Sequence, residues 1–299
     1  MPELPEVESL RQSLLPFVID QKITHISVTK PKLVSEKGTK RSENQDKVDE
    51  FIEELTKETI INISRRAKNL IFETQNNKIL LVHLKMTGQL VFQNHQRENQ
   101  VLGGHPIQES ENTLPNKHSH VIFTLSNGTL YFNDTRMFGY LLYYPNYTSM
   151  IADKHFDKLG LEPLDVEFTL EQFRRRMKTK TGVLKKIFLD QSVVVGLGNI
   201  YADEVCFYAS VRPSRAAKTL KKSEIEKLYY GIITILPRAV AAGGSSVANY
   251  LLADGSKGNY AHQHKVYGRA GKSCLTCSTV LEKIILAGRT TVFCPKCQK

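Results

Sequence analysis

The chain has 299 residues, 41% of them hydrophobic and 24% charged, and a formal net charge of +11. That composition supports a folded chain with a sizeable core and more than one domain, and it excludes a disordered or collagen-like polymer. No apolar run reaches the roughly 18 residues of a membrane span, and the acidic first residues lack the pattern of a targeting leader.

Residues 5–17 read as an amphipathic helix, with Pro5 in its first turn and Val7, Leu10 and Leu14 on one face. Short β-rich runs follow at 22–29, 59–64, 70–74, 78–84, 89–92, 120–125, 129–133 and 140–144. Ser126-Asn127-Gly128 between two of them is a hairpin signal. Many short strands with turn signals predict an antiparallel sandwich or barrel. Residues 46–55 fit a second helix, with Val48, Phe51, Ile52 and Leu55 on one side. Residues 94–117 are polar, hold Gly103-Gly104 and lack periodicity, so they read as a long mobile surface loop between strands.

After Pro145 the pattern turns helical, and the halves meet near 145–165. Thr169 with Gln172 predicts a capping box for a helix to Met177. Asn199 is the expected cap of a helix through Ala202, Val205 and Tyr208. Ser223 with Glu226 is the expected start of another, carrying Ile225, Leu228, Ile232 and Leu236, which Pro237 should kink or end. Residues 243–246 and 254–258 read as glycine-rich loops.

The charge is unevenly placed. Residues 212–299 hold 15 Lys/Arg against 4 Asp/Glu, so they carry the whole excess. A second basic run comprises Arg174, Arg175, Arg176, Lys178, Lys180, Lys185 and Lys186. Either run alone could be a solvated face. Their concentration in one half favours a polyanion, and hence nucleic acid, as the partner.

Four of the five cysteines form Cys274-x-x-Cys277 and Cys294-x-x-Cys297, with 16 residues between the pairs. This is the spacing of a four-thiolate zinc ribbon, and four thiolates leave no open coordination position, so the metal is structural. Without a disulfide framework, a reducing cytosol fits. Arg289, read as lying at the base of the ribbon's hairpin, is either a phosphate ligand or a solvated side chain. The stretch 193–204, VVVGLGNIYADE, places two glycines before a helix start, where backbone amides make an anion site.

The first residues, MPELPEVE, admit two readings. If Met1 is removed, Pro2 presents a secondary amine. An α-amino group titrates near about 7.7–8.0, so part of it is a neutral nucleophile at neutral pH. Glu3 and Glu6 would then stand by as proton carriers. Otherwise the segment is a stiff lead into the first helix.

The motifs MPELPEVE, RRAK (65–68), HLKMTG (83–88), KHSH (117–120), DTRMFG (134–139), GLGNIYADE (196–204) and the terminal VYGRAGKSC…GRTTVFCPKCQ occur together and in this order. In that set the chain resembles the bacterial formamidopyrimidine-DNA glycosylases over nearly its whole length, apart from residues 95–116. The resemblance implies an α+β, multi-domain protein. An N-terminal antiparallel β-sandwich (1–148) and a linker (149–165) would precede a helix–two-turn–helix domain with a lesion-capping loop (166–261) and a zinc-ribbon finger (262–299).

It also implies a bifunctional glycosylase and AP lyase of base excision repair. The enzyme would remove 8-oxoguanine and formamidopyrimidines through a Pro2 Schiff base and cut the strand by β,δ-elimination. Pro2, Glu3, Lys68 and Arg289 take the catalytic positions. Met86, Arg136 and Phe138 take those of the side chains that fill the hole left by the flipped nucleotide. Arginine suits the acceptor edge of an orphaned cytosine. From the residues alone, Met86 and Phe138 read as core. His118, Lys180 and Asn199 match DNA-contact positions, Lys185 is a further candidate, and residues 254–262 resemble the loop over the flipped base. One structural Zn²⁺ held by Cys274, Cys277, Cys294 and Cys297 is expected. Damaged duplex DNA is the expected partner, lying in a basic cleft between the halves, and the protein a cytoplasmic, nucleoid-associated bacterial monomer without a small-molecule cofactor.

This chain departs from the family pattern at three places. The usual DPRRFG has Thr135 for proline and Met137 for the second arginine, and Asn69 replaces a common aromatic. The rival readings are an endonuclease VIII-like enzyme for oxidised pyrimidines, which Leu4 and the Met86/Arg136/Phe138 set oppose, and a non-catalytic zinc-ribbon DNA-binding protein.

Overall fold

A computed structural model describes residues 1–37, 41–96, 100–104, 113–245 and 258–299. It divides into two compact units. One comprises residues 1–2, 6–157 and 245–258, and the other residues 3–5, 158–244 and 259–299.

The first unit is an antiparallel β-sandwich. Helix α1 (Leu4–Val18) runs into it. Strands β1 (Ile23–Val28), β7 (Ser119–Leu125), β8 (Gly128–Asp134), β5 (Gly88–Asn94) and β6 (Gln100–Gly104) form one sheet in the order β1-β7-β8-β5-β6. Strands β2 (Ile60–Arg66), β3 (Asn69–Thr74), β4 (Ile79–His83) and β9 (Tyr140–Tyr144) form the other in chain order. The inward positions, among them Ile63, Phe72, Val82, Phe92, Phe123 and Phe132, are buried in one core with Val7, Leu10, Leu14 and Val18 of α1. Core residues recur at every second position on strands such as β3 (Leu70, Phe72), β5 (Leu90, Phe92) and β7 (Val121, Phe123, Leu125) and on one face of α1, so each of these elements turns one apolar face into the shared core.

Helix α2 (Lys32–Ser35) is short, and α3 (Gln45–Leu55) buries Val48, Phe51 and Leu55 as its periodicity predicts. Asn44 caps α3 by accepting from Lys47 N. The expected loop over 94–117 is in part a strand. β6 pairs along β5 from Gln89↔Gly104 to Gln93↔Gln100, because an edge strand accepts a partner through its backbone whatever its side chains. The rest of that expectation falls largely on residues 97–99 and 105–112, outside those described. Two further short helices, α4 (Tyr147–Ile151) and α5 (Lys154–Asp157), close the unit.

The second unit is helical, with α6 (Leu170–Lys178), α7 (Leu184–Leu189), α8 (Asn199–Tyr208) and α9 (Lys222–Ala241), followed by a hairpin of β10 (Glu282–Leu286) and β11 (Arg289–Phe293). Thr169 caps α6 by accepting from Gln172 N. Helix α8 is buried from Ile200 to Cys206, on all its faces, and is the centre of this core.

Three local expectations are corrected. Gly198, not Asn199, is the N-cap of α8, and Asn199 is its first residue. The start of α9 is Lys221 with Glu224, whose carboxylate accepts from Lys221 N at 2.7 Å, instead of Ser223 with Glu226. Pro237 lies inside α9, which continues to Ala241, so the proline does not end the helix. A proline removes one backbone donor, and burial of Ile235, Leu236 and Ala239 around it keeps the helix in place. No helix among the described residues is long and apolar enough to cross a membrane.

Candidate active site and DNA interface

In the second unit, residue chemistry converges on the start of α8. Glu3 is 3% exposed. Its carboxylate accepts from Gly198 N at 2.6 Å, Ile200 N at 2.8 Å and Tyr201 N at 3.3 Å. The anion site read from GLGN therefore exists, and its occupant is this chain's own carboxylate. The first-turn amides of a helix have no partners within it, and their dipoles favour negative charge. Glycine is required here because a Cβ on Gly198 would lie 2.4 Å from Glu3 Cδ. Gly196 is left-handed (φ +83), and a Cβ there would lie 2.4 Å from Leu4 Cβ. Leu4 N donates to Gly196 O at 3.0 Å. Glu3 and Leu4 are thus held together here, one by its carboxylate and the other by its main-chain amide. Pro2, next to it, is buried, and with Met1 attached its nitrogen is an amide.

Asn199 joins this helix start to the ribbon, since its Nδ2 donates to Thr290 O at 2.9 Å. Lys185 is fully buried, not surface-exposed. Its ammonium donates to Asp203 Oδ1 at 2.6 Å and to Asn199 O at 2.9 Å. The DNA-contact candidate Lys185 is thus enclosed, with its ammonium shared between Asp203 and the backbone of Asn199, the first residue of α8. Asp203 Oδ2 accepts from Val292 N at 3.0 Å, and burial pushes the Asp203 carboxyl up to about 6. Glu204 accepts from the amides of Lys265, Val266 and Tyr267, and burial still pushes its carboxyl above the ordinary value. The sequence signal for this pair was two adjacent acids inside an otherwise apolar helix; such acids need partners.

The ribbon follows. The four cysteine sulfurs lie within 4.8 Å of one another. Cys274 and Cys297 sulfurs are 3.9 Å apart, and Cys277 and Cys294 sulfurs 3.5 Å. A tetrahedral site with Zn–S near 2.3 Å requires S···S of about 3.8 Å, so the four thiolates fit one structural zinc ion. Leu286 and Arg289 face each other across the Ala287-Gly288 turn, both residues of which are left-handed (φ 50 and 69). Arg289 therefore stands exposed at the hairpin's tip, not at its base. Arg212 is an internal cation, holding the carbonyls of Gln298 and Pro295 at 2.9 and 2.8 Å. Lys180, after α6, lies 3.6 Å from Asp190.

In the first unit, three loops gather the other predicted residues. Lys68 is buried at the β2–β3 turn beside left-handed Ala67 (φ 56). Arg65, near the end of β2, binds Glu8 at 2.9 Å. Burial alone would raise the Glu8 carboxyl, but Arg11 and Arg65 hold it below its ordinary value. Asn69 accepts from the Tyr140 hydroxyl at 3.5 Å. Glu6 accepts from Ser245 N at 2.7 Å, a structural contact for a residue read as a proton carrier.

Met86, Arg136 and Phe138 come from two turns that Asp134 ties together. Asp134, fully buried, accepts from Thr87 Oγ1 at 2.5 Å, Arg136 N at 3.1 Å and Gly139 N at 2.7 Å. The Arg136 guanidinium lies 4.6 Å over the Phe138 ring, and Phe138 is exposed. Phe138 is therefore not core, as its hydrophobicity alone suggested, and Met86 is only partly buried. Met137 is left-handed (φ 53), and its side chain packs on the sandwich core. That inward packing accounts for methionine where the family pattern has arginine. His118 precedes β7, with its carbonyl accepting from Asp134 N at 3.0 Å. Asp134 and Thr87 escaped the sequence reading because buried acceptors of main-chain bonds leave no periodic signal. The residues 246–257, which include most of the expected lesion-capping loop, lie outside those described.

Comparison with known proteins accords with this arrangement. Residues 1–141 match the formamidopyrimidine-DNA glycosylase N-terminal domain, residues 159–250 the formamidopyrimidine-DNA glycosylase H2TH domain, and residues 271–299 a zinc finger found in FPG and IleRS. The chain is similar to the formamidopyrimidine-DNA glycosylase of Desulfitobacterium hafniense, with 37% identity over 298 residues and 100% of both chains covered. It is also similar to the wild-type Lactococcus lactis Fpg (MutM) solved with DNA containing N7-benzyl-Fapy-dG, at TM-score 0.84, 34% identity and 100% coverage of both chains. The same relative solved with DNA containing an oxidised pyrimidine matches with the same TM-score, identity and coverage.

Proposed function

The chain belongs to the formamidopyrimidine-DNA glycosylase family of base excision repair enzymes, and on that footing we propose that it excises oxidised purines from duplex DNA and cuts the strand at the same site. The substrates are 8-oxoguanine and formamidopyrimidines. The observation that carries the proposal is the Glu3 carboxylate, held by three amides at the start of α8, one residue from Pro2.

Removal of Met1 frees the Pro2 secondary amine. The amine attacks C1′ of the flipped nucleotide, the glycosidic bond breaks and the base leaves with a proton. The C1′–O4′ bond then breaks, O4′ takes a proton and C1′ becomes an iminium; this acidifies the C2′ proton, whose loss expels the 3′ phosphate. A second elimination expels the 5′ phosphate. Glu3 handles protons at the sugar, Lys68 assists at phosphate and in elimination, and Arg289 grips the phosphates around the lesion and serves the second elimination. The damaged nucleotide must leave the stack before this chemistry can begin.

Met86, Arg136 and Phe138 fill the hole, with Arg136 reading the orphaned cytosine. His118, Lys180 and Asn199 bind phosphates, so binding weakens with salt. Lys185 acts on this surface indirectly, by fixing Asn199. The proposed division of labour is catalysis by residues 1–148, a linker at 149–165, DNA binding and lesion capping by 166–261, and phosphate grip by 262–299. The protein works as a monomer without a small-molecule cofactor, in the bacterial cytoplasm at the nucleoid. The zinc is structural and supplies no catalytic step.

Borohydride trapping tests the reading. Protein incubated with 8-oxoguanine opposite cytosine should form a stable adduct on Pro2, and should cleave the strand when borohydride is omitted. Zinc-loaded protein shown to lack Met1 that yields neither would overturn it. A second activity, on oxidised pyrimidines, is favoured by the L. lactis relative solved with such DNA. The same assay on that lesion decides it, and binding without cleavage on every lesion would support the non-catalytic reading.

A further inference from the structure

The turn from Asp134 to Gly139 carries two of the side chains proposed to enter DNA, and Asp134 fixes only part of it. The carbonyls of Met137 and Gly139, on either side of Phe138, are bound from a different segment. Arg41 Nη1 donates to Gly139 O at 2.6 Å, and Arg41 Nη2 donates to Met137 O. One planar guanidinium therefore bridges the two peptides that flank the wedge residue. A lysine ammonium has donors but no planar fork, so it would match this pair of carbonyls less well. Met137 is left-handed, a conformation that an L-residue with a Cβ keeps only when its surroundings impose it. Arg136 lies over the Phe138 ring, so holding this turn holds both side chains.

We propose that Arg41 is a positioning residue for the opposite-strand readout: its fork holds the Met137–Gly139 backbone, and through it sets how strictly the base opposite the lesion is read by Arg136. This rests on the proposed roles of Arg136 and Phe138. Arg41 itself touches neither lesion nor orphaned base in this scheme.

The test uses the full-length, zinc-loaded chain with Arg41→Ala and Arg41→Lys. Amide hydrogen exchange at 137–139 is measured in DNA-free protein, with the melting temperature, and single-turnover excision of 8-oxoguanine is compared opposite cytosine and opposite adenine. In Arg41→Ala, which loses both charge-assisted hydrogen bonds, the turn amides should exchange at least about tenfold faster. The cytosine-to-adenine rate ratio should fall about tenfold, because a displaced reading group loses geometry rather than chemistry. Arg41→Lys should fall between the wild type and Arg41→Ala on both readouts. Unchanged exchange overturns the proposal. So does an equal loss on both duplexes with a lowered melting temperature, which marks a merely structural role. If the wild type excises from neither duplex, the glycosylase reading falls and the readout role with it, while the exchange result still decides whether Arg41 holds the turn.

Discussion

Glu3 and Gly198 are joined by a hydrogen bond of 2.6 Å across 195 positions of sequence, from a backbone amide at a helix start to a buried carboxylate. Gly198→Ala would set a methyl 2.4 Å from Glu3 Cδ and displace that carboxylate. Excision should fall about 100-fold, as a shift of about 1 Å in a reacting group can cost. DNA binding, measured by fluorescence anisotropy, should change little. Excision at the wild-type rate would show that Glu3 is not in the reaction.

Glu3→Gln keeps the shape but turns one acceptor into an amide donor facing backbone donors. Urea denaturation should show a loss of about 1–3 kcal/mol, the cost of a buried donor left unmatched. No loss would mean that the three amides find other partners.

Lys185→Met should be strongly destabilising, by about 3–5 kcal/mol, because it strands the buried Asp203 carboxylate. Adding Asp203→Asn removes the uncompensated charge yet keeps an acceptor for Val292 N, so the double variant should recover much of the loss. A double variant no more stable than Lys185→Met would refute the coupling.

His264 packs against the rings of Tyr260 and Tyr267, and burial pushes its pKa down to about 4. The unfolded chain therefore binds this proton first. Stability is full above about 6.5 and is lost as pH falls toward 4, by up to about 3 kcal/mol. Asp203, pushed up by burial to about 6, has the opposite slope over part of that range. The test is accordingly a difference: wild type minus His264→Gln, by chemical denaturation between pH 7 and about 4. A difference that does not change with pH would rule out the histidine.

Zinc analysis should find one ion per chain. A strong chelator, or Cys294→Ser, should release it and abolish strand cutting. The ribbon's apolar cluster is small, Val266, Leu281, Val292 and two of the cysteines, too little to order Arg289 without the metal. Full cleavage by zinc-free protein would refute this.

The sequence by itself determined the elements with periodic or spaced signals. The sandwich strands came from β-rich runs with turn signals, α1 and α3 from one-sided apolar spacing, α6 from its capping box, the zinc ligands from CxxC spacing, and the family from ordered motifs. These signals are local, so they survive without tertiary information. Only the tertiary structure decided what each polar group faces. It assigned the GLGN amides to Glu3, enclosed Lys185 with Asp203, put Arg289 at a hairpin tip, paired β6 onto β5 and brought Arg41 to the turn of Phe138. Each of these is a contact between a side chain or strand edge and a backbone far away in sequence. Hydrogen-bonding groups look alike in sequence whether they meet water or a distant amide, and burial alone makes the difference.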